Sequence, residues 1–211
     1  MGTDNLYASY RYDDPDFRYT YPNSETLRNL FNERDPDKLT ALENQIFNRQ
    51  ALLLIKNPIA VNSMEDVQAI HRFLFGTIYA WAGEYREVNI SKNNDVFMLH
   101  QAFSRAESYM NSLFENYHSS TATQADITSH LAEILDALNY FHPFREGNGR
   151  TQREVLRVLA LSKGYRLSIH LATDSTAYDL YMQGTINSDL AKLKEVIRLS
   201  LSPLDMLQSG S

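Results

Sequence analysis

Twelve consecutive residues of the chain concentrate groups that can do chemistry: His142-Pro143-Phe144-Arg145-Glu146-Gly147-Asn148-Gly149-Arg150-Thr151-Gln152-Arg153. Two of the eight glycines fall within three residues and bracket an asparagine. A loop so rich in glycine, set between apolar helices, implies unusual backbone angles or close approach of backbone to a ligand. Successive N–H groups in such a loop form an anion-binding nest, and the helix that follows points its positive dipole end at the same spot. Arg150, Arg153 and Arg157 recur at spacings of three and four, which predicts that they line one face; Val155, Leu156 and Leu159 take the core face. Guanidiniums over a helix N-terminus make a polyphosphate site. Glu146 is the acidic group inside it, placed to hold a divalent cation bridging phosphate oxygens. His142, at the end of the preceding helix, is the nearest group whose ordinary pKa suits a general base at neutral pH.

Singly, each feature has a plain explanation: a capping histidine, a turn, a solvated arginine face. Together they fill different roles of one phosphoryl-handling site. A metal pair made of His142 and Glu146 is disfavoured, because Pro143 and Gly147 break the helix that their spacing would need. His71, beside Phe73 and Leu74, reads as a structural histidine, and Trp81, the single tryptophan, as packing.

The elements that must position this loop are mostly helical. Residues 1–23, rich in Tyr, Asp, Arg and Pro, read as an extended arm packed on the domain. Ser24-Glu25 opens a short helix over Thr26–Asn32. Asp35-Pro36 is an N-cap with proline at the first helical position, starting a helix to about Ile55 that Pro58 closes. Ser63 caps the next helix, in which Val67, Ile70, Phe73 and Leu74 share a face. Residues 87–99 change period: Val88 and Ile90 alternate with Asn89 and Ser91, Asn93-Asn94 supplies a turn, and Val96 and Met98 alternate on the return, which predicts a hairpin. Helices follow from Ala102 to beyond Phe114, over about 123–141 with Ile127, Leu131, Ile134, Leu135, Leu138 and Phe141 on an apolar face, and from near Gly149 to Gly164. Two more, at about 173–184 and 188–201, complete an all-α domain with one short β-hairpin.

Composition bounds the function. The chain has 211 residues, 43% of them hydrophobic and 22% charged, and a net charge of −6. At roughly 150 residues per domain this is one large domain, able to fold without staples. The absence of cysteine excludes disulfides, thiol nucleophiles and Cys-ligated metals. An acidic balance argues against general nucleic-acid binding. No apolar run approaches the roughly 20 residues of a spanning helix, and no secretory signal is visible, so the expected partners include neither nucleic acid nor membrane and the expected compartment is cytoplasmic.

The twelve-residue segment resembles, at each defining position, the His-Pro-Phe-x-(Asp/Glu)-Gly-Asn-Gly-Arg-x-x-Arg signature of the Fic family, whose members mostly transfer AMP from ATP to a protein hydroxyl. Upstream, Ile70-His71 through Leu74-Phe75 and Tyr79-x-Trp81-Ala82-Gly83-Glu84-x-Arg86-x-Val88-x-Ile90-Ser91-Lys92 is similar to the helix and flap that precede that signature. Tyr21-Pro22 with Leu27-Arg28-Asn29 is similar to the N-terminal segment of bacterial members. The resemblance implies a Fic-type helical bundle with a hairpin flap, divided as an arm over 1–23, a Fic domain over 24–202 and a tail over 203–211. It implies that His142 deprotonates the target hydroxyl and that Glu146 binds Mg²⁺ bridging the α- and β-phosphates. Gly147, Asn148 and Gly149 would hold phosphates through backbone and amide donors, and Arg150 and Arg153 would grip the outer phosphates. Phe144 would anchor the loop in the core. The flap would pair with an extended segment of the target protein, with Lys92, Asn93 and Asn94 at its tip and Lys92 and Asn93 among the nucleotide contacts. Tyr178 resembles the adenine-side tyrosine, with a core or surface aromatic as its other reading.

Many Fic proteins carry an inhibitory (Ser/Thr)-x-x-x-Glu-(Gly/Asn) segment whose glutamate pairs with the second arginine of the signature. Here Ser129–Glu133 has the spacing but is followed by Ile134, and Thr40–Glu43–Asn44 is one residue too short. The chain is therefore silenced by a separate inhibitory protein acting at Arg153, or has lost that segment, or is an effector without the brake, acting in a bacterial or a host cytoplasm. Three functions stay in view: AMP transfer as a toxin or effector; another phospho-transfer (phosphate, UMP or phosphocholine) on the same scaffold; and a silent peptide-binding module. The intact Gly147 and Gly149 favour the first over the second, and His142 with Glu146 speaks against the third.

Overall fold

A computed structural model describes residues 10–12, 17–92, 95–121 and 123–204. The elements run β1 (Tyr10–Tyr12), α1 (Pro36–Lys56), α2 (Met64–Phe75), β2 (Ile90–Lys92), β3 (Asp95–Val96), α3 (Phe103–Ser119), α4 (Gln124–Phe141), α5 (Asn148–Ser162), β4 (Tyr165–Leu167), α6 (Ser175–Asn187), α7 (Leu190–Ser200) and β5 (Leu201–Pro203). Helix starts follow their caps. Asp35 accepts the N–H groups of Asp37 and Lys38 ahead of Pro36, Asp66 reaches back to the Ser63 N–H at 3.1 Å, and Thr123 accepts from Asp126.

α4 is the central helix, packed against α3, α5, α6 and α7. Its Ile127, Leu131, Ile134, Leu135, Leu138 and Phe141 are all buried, as their spacing predicts. Ala132 and Thr128 are buried as well, so the helix is enclosed on more than one face. α2 and α5 pack on each other, and between them the glycine-rich loop is fixed. The all-α bundle with one short hairpin is thus borne out, with the small β4–β5 pair joining residues after α5 to those after α7.

One expectation is corrected. Thr26–Asn32 is not a helix: Thr20 bridges Leu27, the Arg28 N–H donates to the Tyr19 carbonyl at 2.8 Å, and the buried Asn29 amide bonds the main chain of Leu27, Phe31 and Glu33. An asparagine that satisfies neighbouring backbone groups offers the chain an alternative to helical bonding. The hairpin is joined by a third strand. Tyr10–Tyr12 pairs antiparallel with Ile90–Lys92, Tyr12 opposite Ile90, so β2 lies between β1 and β3.

The arm contacts the domain where it is described. Tyr19 and Tyr21 are buried, Tyr19 clusters with Val88 and Ile90, and its hydroxyl accepts the Glu87 N–H at 3.1 Å. Residues 1–9, 13–16 and 205–211, with most of the arm and tail, lie outside the described residues. Among those described, no helix is long and apolar enough to cross a membrane.

Candidate active site

α4 ends on His142, whose backbone is left-handed, with φ 45° and ψ 60°, a conformation usually given to glycine at helix ends. The imidazole stacks on Phe97 with centroids 3.8 Å apart and the residue is 4% exposed. Its Nδ1 lies 3.1 Å from the Asn139 carbonyl. A carbonyl only accepts, so Nδ1 is the donor, and in the neutral ring Nε2 carries the lone pair. That is the form a general base requires.

The loop after His142 is tied at several points. Asn148 uses both ends of its amide on Phe144: Oδ1 accepts the Phe144 N–H at 3.0 Å and Nδ2 donates to its carbonyl at 2.8 Å. The amide therefore holds the loop. Phe144 is core, 1% exposed, and its ring stacks on His71 at 3.8 Å. His71 accepts the Gly83 N–H on Nδ1 at 2.8 Å and donates from Nε2 to the Glu146 carbonyl at 2.9 Å. Burial pushes its pKa down to about 3, so it is a neutral strut between the turn at Gly83 and the loop. The structural reading of His71 holds, with the addition that what it supports is the candidate site.

Gly147 has φ +80°, and a Cβ there would meet the Phe75 ring at 2.6 Å; both facts require glycine. α5 begins immediately after it, so its first N–H groups face the loop. A Cβ on Gly149 would lie 3.5 Å from the Arg153 Nη1, which places that guanidinium against the start of α5. It also lies over the Tyr181 ring, 5.9 Å from the centroid.

The three arginines do not share one face. Arg150 turns towards α1, pairing with Glu43 at 2.5 Å and stacking over Phe47 and Phe75, with a side chain only 10% exposed. Glu43 also accepts the Tyr79 hydroxyl. Arg157 turns the same way, to Glu154 and the Leu54 carbonyl. Two arginines seven apart lie nearly in line along a helix, whereas the one between them is rotated off that line. Of the two arginines expected at the outer phosphates, Arg153 lies against Gly149, whereas a carboxylate and two aromatic rings hold Arg150.

Glu146 stands beside this pair. Its Oε1 accepts the Gly147 N–H at 2.9 Å and lies 3.5 Å from Arg150. The carboxylate opens on a cavity of about 200 Å³ whose lining includes Thr26, Leu39, Glu43 and Tyr79. One partly exposed carboxylate suits a hard cation that takes most of its ligands from phosphate and water. Among the described residues there is no group of three or more metal-ligating side chains.

Lys92 is the last residue of β2; its side chain and the whole of Asn93 and Asn94 lie outside the described residues. On α6, Tyr181 is the tyrosine that meets α5, its hydroxyl 3.5 Å from Gln152; Tyr178 is half-buried one turn earlier. Sequence reasoning passed over Glu43 because its interval from Thr40 is one residue short of the inhibitory pattern. It gave Phe97 no role, and Arg86 none beyond a place in the segment similar to the flap, because each reads as an ordinary strand-flanking residue.

Residues 62–160 match the model of the Fic/DOC family. Over that range the chain is similar to a Fic domain. The matched range spans α2, the hairpin, α3, α4, the loop and most of α5, whereas α1 with Glu43 and α6 with Tyr181 flank it. Similar curated proteins include the protein adenylyltransferase VbhT of Bartonella schoenbuchensis, 31% identical over 159 residues, which cover 74% of this chain and 33% of that protein. The chain thus spans about a third of VbhT. The probable protein adenylyltransferase Fic of Escherichia coli is 29% identical over 180 residues, 84% of this chain and 88% of that one. Among solved structures, the chain superposes on BepC of Bartonella tribocorum, a VirB-translocated effector solved with bound AMPPNP, with a TM-score of 0.76, 18% identity and coverage of 89% and 97%.

Proposed function

We propose that the chain is a protein adenylyltransferase that moves AMP from ATP to a hydroxyl side chain of a target protein. The observation that carries this reading is the His142 imidazole, its Nδ1 held on the Asn139 carbonyl, at the start of a loop in which the Arg153 guanidinium lies against Gly149. The similarity to curated adenylyltransferases that the chain covers almost end to end supports the same activity.

In this reading Nε2 takes the proton of the target hydroxyl as its oxygen attacks the α-phosphorus. The bond between the α-phosphorus and the bridging oxygen breaks, and pyrophosphate leaves. The N–H groups of Asn148 and Gly149 at the α5 N-terminus, and that of Gly147 once released by Glu146, donate to phosphate oxygens, and Arg153 pairs with the outer phosphates. Arg150 acts from behind, holding α1 to the loop. Glu146 is the residue that would hold Mg²⁺, which neutralises charge on the triphosphate.

The target docks on the hairpin by strand addition. With β2 enclosed, the edge available to it is β3, the terminal strand of the sheet. The protein works in a cytoplasm, its own or that of a host, and a separate inhibitory protein places a carboxylate against Arg153, competing with the γ-phosphate for the guanidinium. ATP labelled in turn at the α- and γ-phosphorus tests the reading. Incubation with bacterial and eukaryotic lysates should label protein from the α position alone. Label from the γ position would indicate kinase chemistry, and none from either a binding module.

A further inference from the structure

Arg86 is 1% exposed, and burial lowers its pKa only to about 10, so it is a cation at neutral pH. None of the ion pairs found among the described residues includes it. Its partners are main-chain carbonyls: Nε donates to His142 at 2.8 Å, Nη1 to Val88 at 2.6 Å and Nη2 to Met98 at 2.6 Å. Its own backbone N–H donates to the Pro143 carbonyl at 2.8 Å. Val88 precedes β2 and Met98 follows β3, so one planar group grips both legs of the hairpin and the residue read as the base. A buried cation without a carboxylate is costly, and a lysine, with its compact ammonium, could not reproduce three bonds in the fixed fork of a guanidinium.

The hairpin touches His142 a second time. Phe97 donates its N–H to Ile90 across the hairpin at 3.2 Å, and its ring lies on the imidazole at 3.8 Å with a 23° tilt. The left-handed backbone of His142 is uncommon for any residue but glycine and persists only where the surroundings over-determine it. The bonds of Arg86 to the carbonyls of His142 and Pro143 fix the two peptide planes that follow the imidazole, while Phe97 fixes the ring itself.

We propose that Arg86 and Phe97 are positioning residues for His142, which join the hairpin and the imidazole into one unit so that strand docking on the hairpin and proton removal share a single geometry. The proposal rests on the reading of His142 as the base. Histidine-¹⁵N spectra of the full chain test it at a pH where the ring is neutral, with His142 assigned by its absence from His142→Ala. The parent should show a single Nδ1–H tautomer. Arg86→Lys, and independently Phe97→Leu at a half-buried position, should show a mixture of tautomers. Transfer of label from α-labelled ATP into lysate protein should fall at least tenfold at saturating ATP, with ATP affinity by calorimetry within twofold of the parent.

If Arg86→Lys does not fold, Phe97→Leu decides alone. A parent-like His142 spectrum in the folded variants overturns the proposal whatever the transfer rate does. A loss of ATP affinity as large as the loss of transfer also overturns it, since the two residues would then be anchors of the loop as a whole. A changed tautomer with transfer intact keeps the positioning role and sinks the assignment of His142 as the base.

Discussion

Glu43 on α1 and Arg150 on α5 form a buried ion pair at 2.5 Å, and the second carboxylate oxygen of Glu43 receives the Tyr79 hydroxyl. Arg150 also lies 3.5 Å from Glu146, so a helix outside the matched family range reaches the carboxylate at the loop through a single guanidinium. Removing one member of a buried pair leaves the other charge uncompensated and typically costs about 3–5 kcal/mol. Arg150→Ala should therefore show itself first as a loss of stability. Urea unfolding should register a drop of that order, smaller for Glu43→Gln, whose amide oxygen still accepts from Tyr79. Unchanged stability in Arg150→Ala with a large loss of ATP affinity would return Arg150 to the phosphates.

Arg153 should behave differently. Placed against Gly149 and over Tyr181, it is expected to contact the outer phosphates, and a charge-assisted bond is worth about 1.5–3 kcal/mol. Arg153→Ala should weaken ATP by roughly tenfold or more and AMP much less, as read by calorimetry. Equal losses for the two nucleotides would move this arginine away from the triphosphate.

Loss of the base should separate chemistry from binding. His142→Ala is expected to lower transfer by about 10²–10⁴-fold, the usual contribution of general-base catalysis, with ATP affinity close to the parent value. Transfer within threefold of the parent would end the assignment.

The hairpin edge offers a cleaner contrast. Phe97 bonds inward to Ile90, and main-chain groups alternate along an antiparallel strand, so the Val96 N–H points to the outer edge of β3. Val96→Pro should reduce target modification while sparing ATP affinity. Ser91→Pro, in the strand enclosed by β1 and β3, should disturb the sheet itself and lower stability in urea. Equal effects of the two prolines on target and nucleotide would make the hairpin a structural element with no docking edge.

His71 gives the fold a dependence on pH. Burial lowers its pKa from 6.5 to about 3, so the unfolded chain binds a proton that the folded chain refuses. Stability is whole above pH 6.5 and falls as the pH drops from there towards 3, amounting at pH 5 to about 2 kcal/mol from this residue at ~1.4 kcal/mol per unit. Denaturant titrations at pH 7 and pH 5 should show that difference in the parent. It should vanish from His71→Gln, which is less stable at both values.

The proposed chemistry of the loop is argued from local signals: the roles assigned to His142, Gly147, Gly149 and Arg153 rest on types and spacing within one turn–helix unit. The helices were legible from caps such as Asp35-Pro36 and from the apolar spacing of α4. What the sequence hid is decided by neighbours far along the chain. Nothing near Arg150 announces that Glu43, Phe47 and Phe75 will claim it. Nor does a spacing of three and four distinguish Arg153, on its own side of α5, from Arg150 and Arg157 on the other. The helix expected over Thr26–Asn32 failed for a local reason, the Asn29 amide satisfying backbone groups that a helix would have used. Strand β1 could be found only through its partner, since three residues of Tyr-Arg-Tyr carry no period.

The burial of His142 bears on what becomes of bound nucleotide while no target is present. With 4% exposure and an aromatic lid across one face, the imidazole is poorly placed to recruit bulk water, and exclusion of solvent is how active sites suppress side reactions. Idle turnover, in which ATP is hydrolysed without a protein acceptor, should therefore be slow in this chain for a steric reason, independent of any inhibitor.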